Sequence, residues 1–319
     1  MGYGMTIPMQ GLPMAAHADL MREIEDLGYT DVWSSEAQDL DALIPLALAS
    51  QWAPGLRIGS ACIPVQTRGP AVLAMSAATL ALAAPGRFVL GIGSSSSYVV
   101  TAQNARPFER PLAVTRDTAR FLRAALAGER IDRAYETFRV GGFQLRRKLD
   151  PPPLLLIAAL RPRMLELAGR EGDGAILNFV TAADLRQILP RVKRHGSHKE
   201  IAGRVYVCPT TARTDVVRAV ARRSIAAYFN VPTYRAYQEW LGHADLYRPM
   251  WEAWDAGDRR GALAAVSDEM ISRHYIYGPA GYCHERITEL MEAGLETPIL
   301  GLVEEATDPR EAIRLLAPR

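Results

Sequence analysis

The sequence predicts a (β/α)8 TIM barrel with insertions near residues 106–150 and 228–270. Three observations lead there. Short β-like runs alternate with amphipathic helical segments through the first half, the pattern of a parallel sheet wrapped by helices. The strand–helix units add up to eight. A chain of 319 residues exceeds the common domain of about 100–200 residues, yet a barrel with insertions reaches this size as one domain over residues 1–319.

The elements follow in order. Tyr3 to Pro8 reads as the first strand, and Ala16 to Leu27 as a helix with Leu20, Ile24 and Leu27 on one face, ended by Gly28. Asp31 to Ser34 is a second strand, followed by a helix near Ala42 to Ser50. Leu56 to Ala61 is the third strand, and Pro70 opens a helix to about Ala83, a first-turn position where its missing N–H costs nothing. Arg87 to Gly93 is the fourth strand. A helix from about Thr115 to Leu126 and a β-like excursion from Tyr135 to Leu145, bending at Gly141-Gly142, come next. The stiff Asp150-Pro151-Pro152-Pro153 linker leads into the fifth strand, Leu154 to Ala158, and a helix from Pro162 to Arg170. Gly174 to Asn178 is the sixth strand and Arg204 to Cys208 the seventh. The aromatic-rich stretch 228–270 reads as a helical insertion. Ala280 to Ala293 is a helix, Thr297 to Val303 the eighth strand, and Pro309 to Leu316 the closing helix.

Composition excludes several classes. Three distant cysteines, Cys62, Cys208 and Cys283, without a C-x-x-C pair, argue against a disulfide framework or structural zinc. The N-terminus has no signal-peptide pattern, and no apolar run approaches the ~18 residues of a membrane span. The expectation is a cytoplasmic protein that does not bind membranes. A net charge of +2 does not suggest nucleic acid, and the basic cluster from Arg191 to Lys199 lacks interleaved aromatics and reads as a solvated helix end or loop. His17, His243, His274 and His284 are isolated, and His195 and His198 have no third ligand nearby, so no metal site is expected. No G-x-S-x-G elbow marks a serine hydrolase.

Barrels of this type carry their working groups at the C-terminal ends of strands. The second strand ends in Trp33-Ser34-Ser35-Glu36. Glu36 can orient substrate, hold a cofactor ring or donate a proton, or it can be an acid favoured by a helix N-terminus. Asp39 and Asp41 read as caps of the next helix. Trp33 can stack on a ring system or fill the core. Gly91-Ile92-Gly93-Ser94 is a weak match to a dinucleotide fingerprint, because Ser96 stands where the third glycine belongs. It reads instead as a close backbone approach to a planar ligand, or as a surface turn. The fifth strand ends in Ala158-Ala159-Leu160-Arg161, directly before a Pro162-initiated helix. Free amides there, with Arg161, suit a phosphate; alternatively Arg161 is a solvated helix-start residue.

At these residues the chain resembles the luciferase-like monooxygenase family, and within it the coenzyme F420 (deazaflavin)-dependent oxidoreductases. The stretches that carry the likeness are Gly28 to Glu36, Arg87 to Ser95, Arg106 to Leu112, Ala158 to Gly169 and Ala293 to Pro298. The resemblance implies hydride transfer between coenzyme F420 and an organic small-molecule substrate. FMN with oxygen, in a two-component monooxygenase, and a non-catalytic cofactor-binding barrel are the alternatives. It further implies that the ring rests against a third-strand bulge at Cys62-Ile63, next to Ala61, where family members often have a non-prolyl cis peptide. Gly93, Ser94 and the turn Ala158-Ala159-Leu160-Arg161 would hold the phosphate side, with Asn178 close by. Glu36 would face the reactive part of the ring. The aromatic insertion would roof the pocket, and a homodimer is expected.

Overall fold

The computed structural model describes residues 2–36 and 40–318, so Asp39 lies outside the described residues. Eight parallel strands pair in chain order: β1 (Gly4–Thr6), β2 (Asp31–Ser34), β3 (Arg57–Ser60), β4 (Phe88–Gly93), β5 (Leu154–Ala158), β6 (Gly174–Asn178), β7 (Glu200–Cys208) and β8 (Thr297–Leu302). β8 returns to pair with β1, with Gly4 opposite Ile299, and the sheet closes on itself. The fold is a (β/α)8 TIM barrel, as the alternation of elements predicts.

Side chains alternate across each strand, which separates two cores. Val32, Ile58, Leu90, Leu155, Ile201 and Leu300 point outward into the large cluster under the helices. Trp33, Val89, Leu156, Ile176, Ala202 and Ile299 point inward and fill the barrel. Each such buried aliphatic side chain contributes about 1.5–3 kcal/mol relative to exposure. The Trp33 ring fits because both neighbouring strands offer a glycine beside it. A Cβ at Gly59 would lie 2.4 Å from the ring, and one at Gly4 2.7 Å away.

Below that layer, at the N-terminal end, Arg57 bridges the barrel floor. It donates to Asp31, to both oxygens of Glu200 (2.9 and 2.7 Å) and to the Thr297 hydroxyl (3.3 Å). Burial opposes the charge on Arg57, but Glu200 and Asp31 outweigh it and hold the guanidinium protonated.

Helices α1 (His17–Asp26), α2 (Leu43–Trp52), α3 (Pro70–Ala83), α4 (Pro111–Leu126) and α5 (Pro162–Glu171) follow the first five strands. Gly28 ends α1 as expected: its φ of +87° is left-handed, and the Tyr29 amide reaches back to the Ile24 carbonyl at 3.3 Å. Asp41 caps α2 as expected, accepting from the amides of Leu43 (2.7 Å) and Ile44 (2.8 Å).

Several boundaries differ from the sequence expectation. α4 begins at Pro111 rather than near Thr115, with proline at its first turn. The β-like excursion is a hairpin, Ile131–Ala134 with Arg139–Phe143; its turn falls at Tyr135–Phe138, where the Tyr135 amide donates to the Phe138 carbonyl. Gly141-Gly142 lies inside the second hairpin strand instead of at the bend. α6 (Ala182–Lys193) is an additional helix, opened by a Thr181–Asp184 capping box. The basic cluster forms its last turn and the loop beyond: Arg191 and Arg194 pair with Glu166, and Lys193 with Glu296. β7 starts at Glu200, four residues before the expected Arg204, which adds an inward-facing acid to the barrel floor.

The long segment between β7 and β8 is helical, as expected: α7 (Thr214–Tyr228), α8 (Pro232–Trp240), α9 (Ala244–Asp255), α10 (Arg259–Ala264) and α11 (Asp268–His274). A short strand, Tyr275–Tyr277, then pairs with the C-terminal part of β7 before α12 (Ala280–Glu292); α13 (Pro309–Leu315) closes the chain. Among the described residues no helix is long and apolar enough to cross a membrane.

Candidate active site at the barrel mouth

The C-terminal ends of β3, β4 and β5 meet in a shelf of small residues. Ala61, Cys62 and Ala158 are half-buried and pack on top of the inward cluster around Trp33. Gly93 completes the shelf: a Cβ there would lie 2.7 Å from Cys62 Sγ and 2.9 Å from Ala158 Cβ, so only glycine lets these strands approach. The peptide between Ala61 and Cys62 is cis, one bond before the Cys62-Ile63 position the resemblance suggested. Ala61 N–H donates to the Ser34 carbonyl at 2.7 Å, and Val65 N–H to the Gly93 carbonyl at 2.9 Å. The shelf is thus held by backbone from β2 and β4. Burial, then the nearby Glu36, push the Cys62 thiol up to about 12, so it stays protonated at neutral pH and is not a thiolate nucleophile.

Glu36 stands beside this shelf, its amide donating to the Cys62 carbonyl at 3.3 Å. Arg68 clamps its carboxylate, with Nε at 3.2 and 3.0 Å from the two oxygens and Nη2 at 2.5 Å from Oε2. The same guanidinium also pairs with Asp41. Thr67 Oγ1 approaches Glu36 Oε1 at 3.5 Å. One arginine therefore fixes Glu36 and Asp41 of the β2–α2 loop, a partner that sequence reading missed because it lies 32 residues from Glu36, in the β3–α3 loop.

The remaining expected residues divide. Ser94 is half-buried at the end of β4, and Ser95 next to it is left-handed at φ +57°. Arg161 is exposed at the start of α5. Leu160 packs against the outer core from a half-buried position. Asn178 ends β6 with its Nδ2 donating to the Tyr234 hydroxyl (3.1 Å), while its Oδ1 is buried without a partner. Three residues are corrected. Trp33 is 1% exposed inside the barrel, beneath the shelf, and cannot stack on a ligand. Ile63 and Ala159 turn outward into the core under the helices, so neither side chain reaches the mouth. Strand parity decides Ile63 and Ala159, which lie one step off the inward register; Trp33 shares that register but sits one layer below the shelf.

The aromatic insertion is corrected in part. Phe229, Tyr247 and Trp251 form the insertion's own core with the buried His274, whose imidazole burial pushes down to about 3. Those rings are unavailable to a ligand. Phe179, Tyr206 and Tyr234 connect that core to the mouth: Tyr206 stacks on Phe179 at 4.9 Å and on Tyr275 at 5.1 Å.

Three mouth residues escaped the sequence reading. Arg204 and Tyr206 occupy successive inward positions of β7. Glu304 immediately follows β8 and its neighbour Val303. Burial raises its carboxyl to about 7, opposed by an N–H of Gln10 and reinforced by Glu305, and its Oε2 has no partner. The rule that function gathers at strand ends would have found it. The folded protein binds this proton more tightly than the unfolded chain does. Its stabilising contribution is complete below the ordinary glutamate value of about 4.3 and is lost as pH rises through about 7. Glu304→Gln is expected to flatten the Tm–pH curve across that window by about 1–2 °C after solvent screening, read by thermal melts at stepped pH.

Comparison with known proteins shows the same fold. A 5,10-methylenetetrahydromethanopterin reductase of Methanolobus tindarius is 25% identical over 91% of this chain and 90% of its own length. The structure of a coenzyme F420-dependent tetrahydromethanopterin reductase from Methanopyrus kandleri superimposes with a TM-score of 0.81, at 19% identity, covering 99% of this chain and 97% of that one. The oxygenating component of 3,6-diketocamphane monooxygenase from Pseudomonas putida, in complex with FMN, superimposes with a TM-score of 0.68, at 16% identity and 99% and 97% coverage. The sequence model of the luciferase-like monooxygenase family matches residues 3–297, and the chain is an enzyme of that family.

Proposed function

We propose that the protein is a coenzyme F420-dependent oxidoreductase that transfers a hydride between the deazaflavin and an organic substrate. The observation that carries this reading is the shelf of Ala61, Cys62, Gly93 and Ala158. It is made of small side chains and a glycine, and Asn178 at the end of β6 offers a buried oxygen without a protein partner, which suits a planar ring. The reductase relatives turn the choice toward F420.

When bound, the cofactor supplies a carbon hydride donor or acceptor. The protein's part is to bind, orient and exclude water. The shelf supports one face of the ring. Ser94, with the free amides and Arg161 at the start of the ten-residue helix α5, takes the phosphate side. Asn178 Oδ1 accepts a hydrogen bond from ring or ribityl groups. Glu36, oriented by Arg68, passes a proton to or from the substrate at Oε1. Exposed apolar side chains on α2 and α3, among them Ile44, Val72 and Met75, support a homodimer. The setting is cytoplasmic.

The test is a fluorescence titration of the purified protein with F420 and, separately, FMN, followed by oxygen uptake with each reduced cofactor. F420 binding without oxygen consumption is the expected result. Binding of FMN alone, with oxygen uptake, would replace the reading by a two-component monooxygenase, and binding of neither would end it.

A further inference from the structure

A guanidinium taken out of water needs an acceptor, and elsewhere in this protein it has one. Every other half-buried arginine among the described residues reaches a carboxylate or a backbone carbonyl, as Arg57 does on Glu200, Arg87 on Leu56 and Arg235 on Asp255. Arg204 is the exception. It is half-buried, has no carboxylate within ion-pair distance among the described residues, and its Nε is buried without a partner.

Its position makes the exception functional. Arg204 faces into the barrel from β7, in register with Asn178 of β6 and Ile299 of β8. Gly301 leaves it space, since a Cβ there would lie 3.1 Å from Arg204 Nε. The guanidinium carbon sits 5.5 Å from the centre of the Tyr206 ring, two residues nearer the mouth, so the side chain leans toward the opening. Beyond it stands the half-buried ring of Tyr206, backed by the buried Phe179.

We propose that Arg204 binds a carboxylate of the substrate, which makes the substrate an organic acid with an apolar or aromatic body. A planar carboxylate satisfies the guanidinium fork with two parallel hydrogen bonds. One unpaired cation balances one negative charge, whereas a phosphate brings close to two. The proposal rests on the oxidoreductase reading for the reaction, though not for the binding of the acid.

Benzoate, neutral benzamide and inorganic phosphate serve as probes, titrated calorimetrically into the wild type and Arg204→Met, with F420 binding measured in parallel. The expected result is benzoate binding to the wild type, no comparable benzamide binding, and a loss of at least about tenfold in benzoate affinity in Arg204→Met. F420 affinity should change less than twofold. Should Arg204→Met not fold, Arg204→Lys keeps the charge without the fork, and a several-fold loss for benzoate is expected. Equal binding of benzoate and benzamide, or unchanged benzoate affinity in the variants, overturns the proposal. So does Arg204-dependent binding of phosphate in place of benzoate, or an equal loss of F420 affinity, which would put the guanidinium on the cofactor. If the wild type binds neither F420 nor FMN yet still takes benzoate through Arg204, the cofactor reading alone has failed.

Discussion

Arg57→Met is expected to remove about 3–5 kcal/mol of stability, a fall of roughly 4–8 °C in Tm for a chain of this length. Among the described residues Arg57 is the side-chain cation paired with both Asp31 and Glu200 on the barrel floor, and Asp31 is 1% exposed. Removing it leaves two carboxylates facing each other with little access to water. Methionine keeps most of the aliphatic stem, so the loss reports chiefly charge and hydrogen bonding. The pH dependence should change with it. Burial opposes ionisation of Glu200, but Arg57 overrides that and holds its pKa below the ordinary carboxylate range. That contribution is present above the unfolded value and is lost as pH falls through the folded one. Denaturant unfolding at neutral and acidic pH checks both points: the deficit of Arg57→Met should be largest at neutral pH and shrink in acid. A deficit below about 1 kcal/mol at neutral pH would show that the floor network is not held by this arginine.

Glu36→Gln is expected to slow turnover by about 100-fold or more, the range lost when a positioned proton-transfer group is removed. F420 affinity should stay within about twofold, because the amide keeps the shape of the carboxylate and one oxygen for Arg68. The ion pair it replaces is about one-fifth exposed on both sides, and its loss should cost only about 1 kcal/mol of stability. Single-turnover traces of cofactor absorbance, with any substrate the wild type accepts, separate binding from chemistry. An unchanged rate would remove Glu36 from proton transfer and leave it as an anchor for Arg68. Glu304, whose proton persists to about 7, would then be the group to replace next.

The barrel was legible in the chain because its signals are local. Strand runs of four to seven residues, helices with apolar faces, and stops such as Gly28 need only neighbours in sequence to act. α6 was not placed by the sequence reading, although Leu185, Ile188, Leu189 and Val192 mark its apolar face and Thr181 opens it. The shelf was half legible, since Cys62, Gly93 and Ala158 stand at strand ends, where barrels keep their chemistry. Which strand-end residues face the opening was not, because one step of register exchanges the core for the mouth. Ile63 and Ala159 fell on the wrong side of that step, Trp33 faces inward but too deep, and Arg204 went unnoticed with β7 begun four residues late.

By itself, the sequence determined the order of most elements and the closed parallel barrel, because hydrophobic period and turn chemistry are properties of short segments. Tertiary structure alone decided which residues share a space. Arg68 meets Glu36 from another loop, Arg57 ties acids 26 and 143 residues away in the chain, and Arg204 faces the mouth without a carboxylate. Charge pairing and burial depend on distance through space. Only closure of the barrel brings those distances down to ångströms.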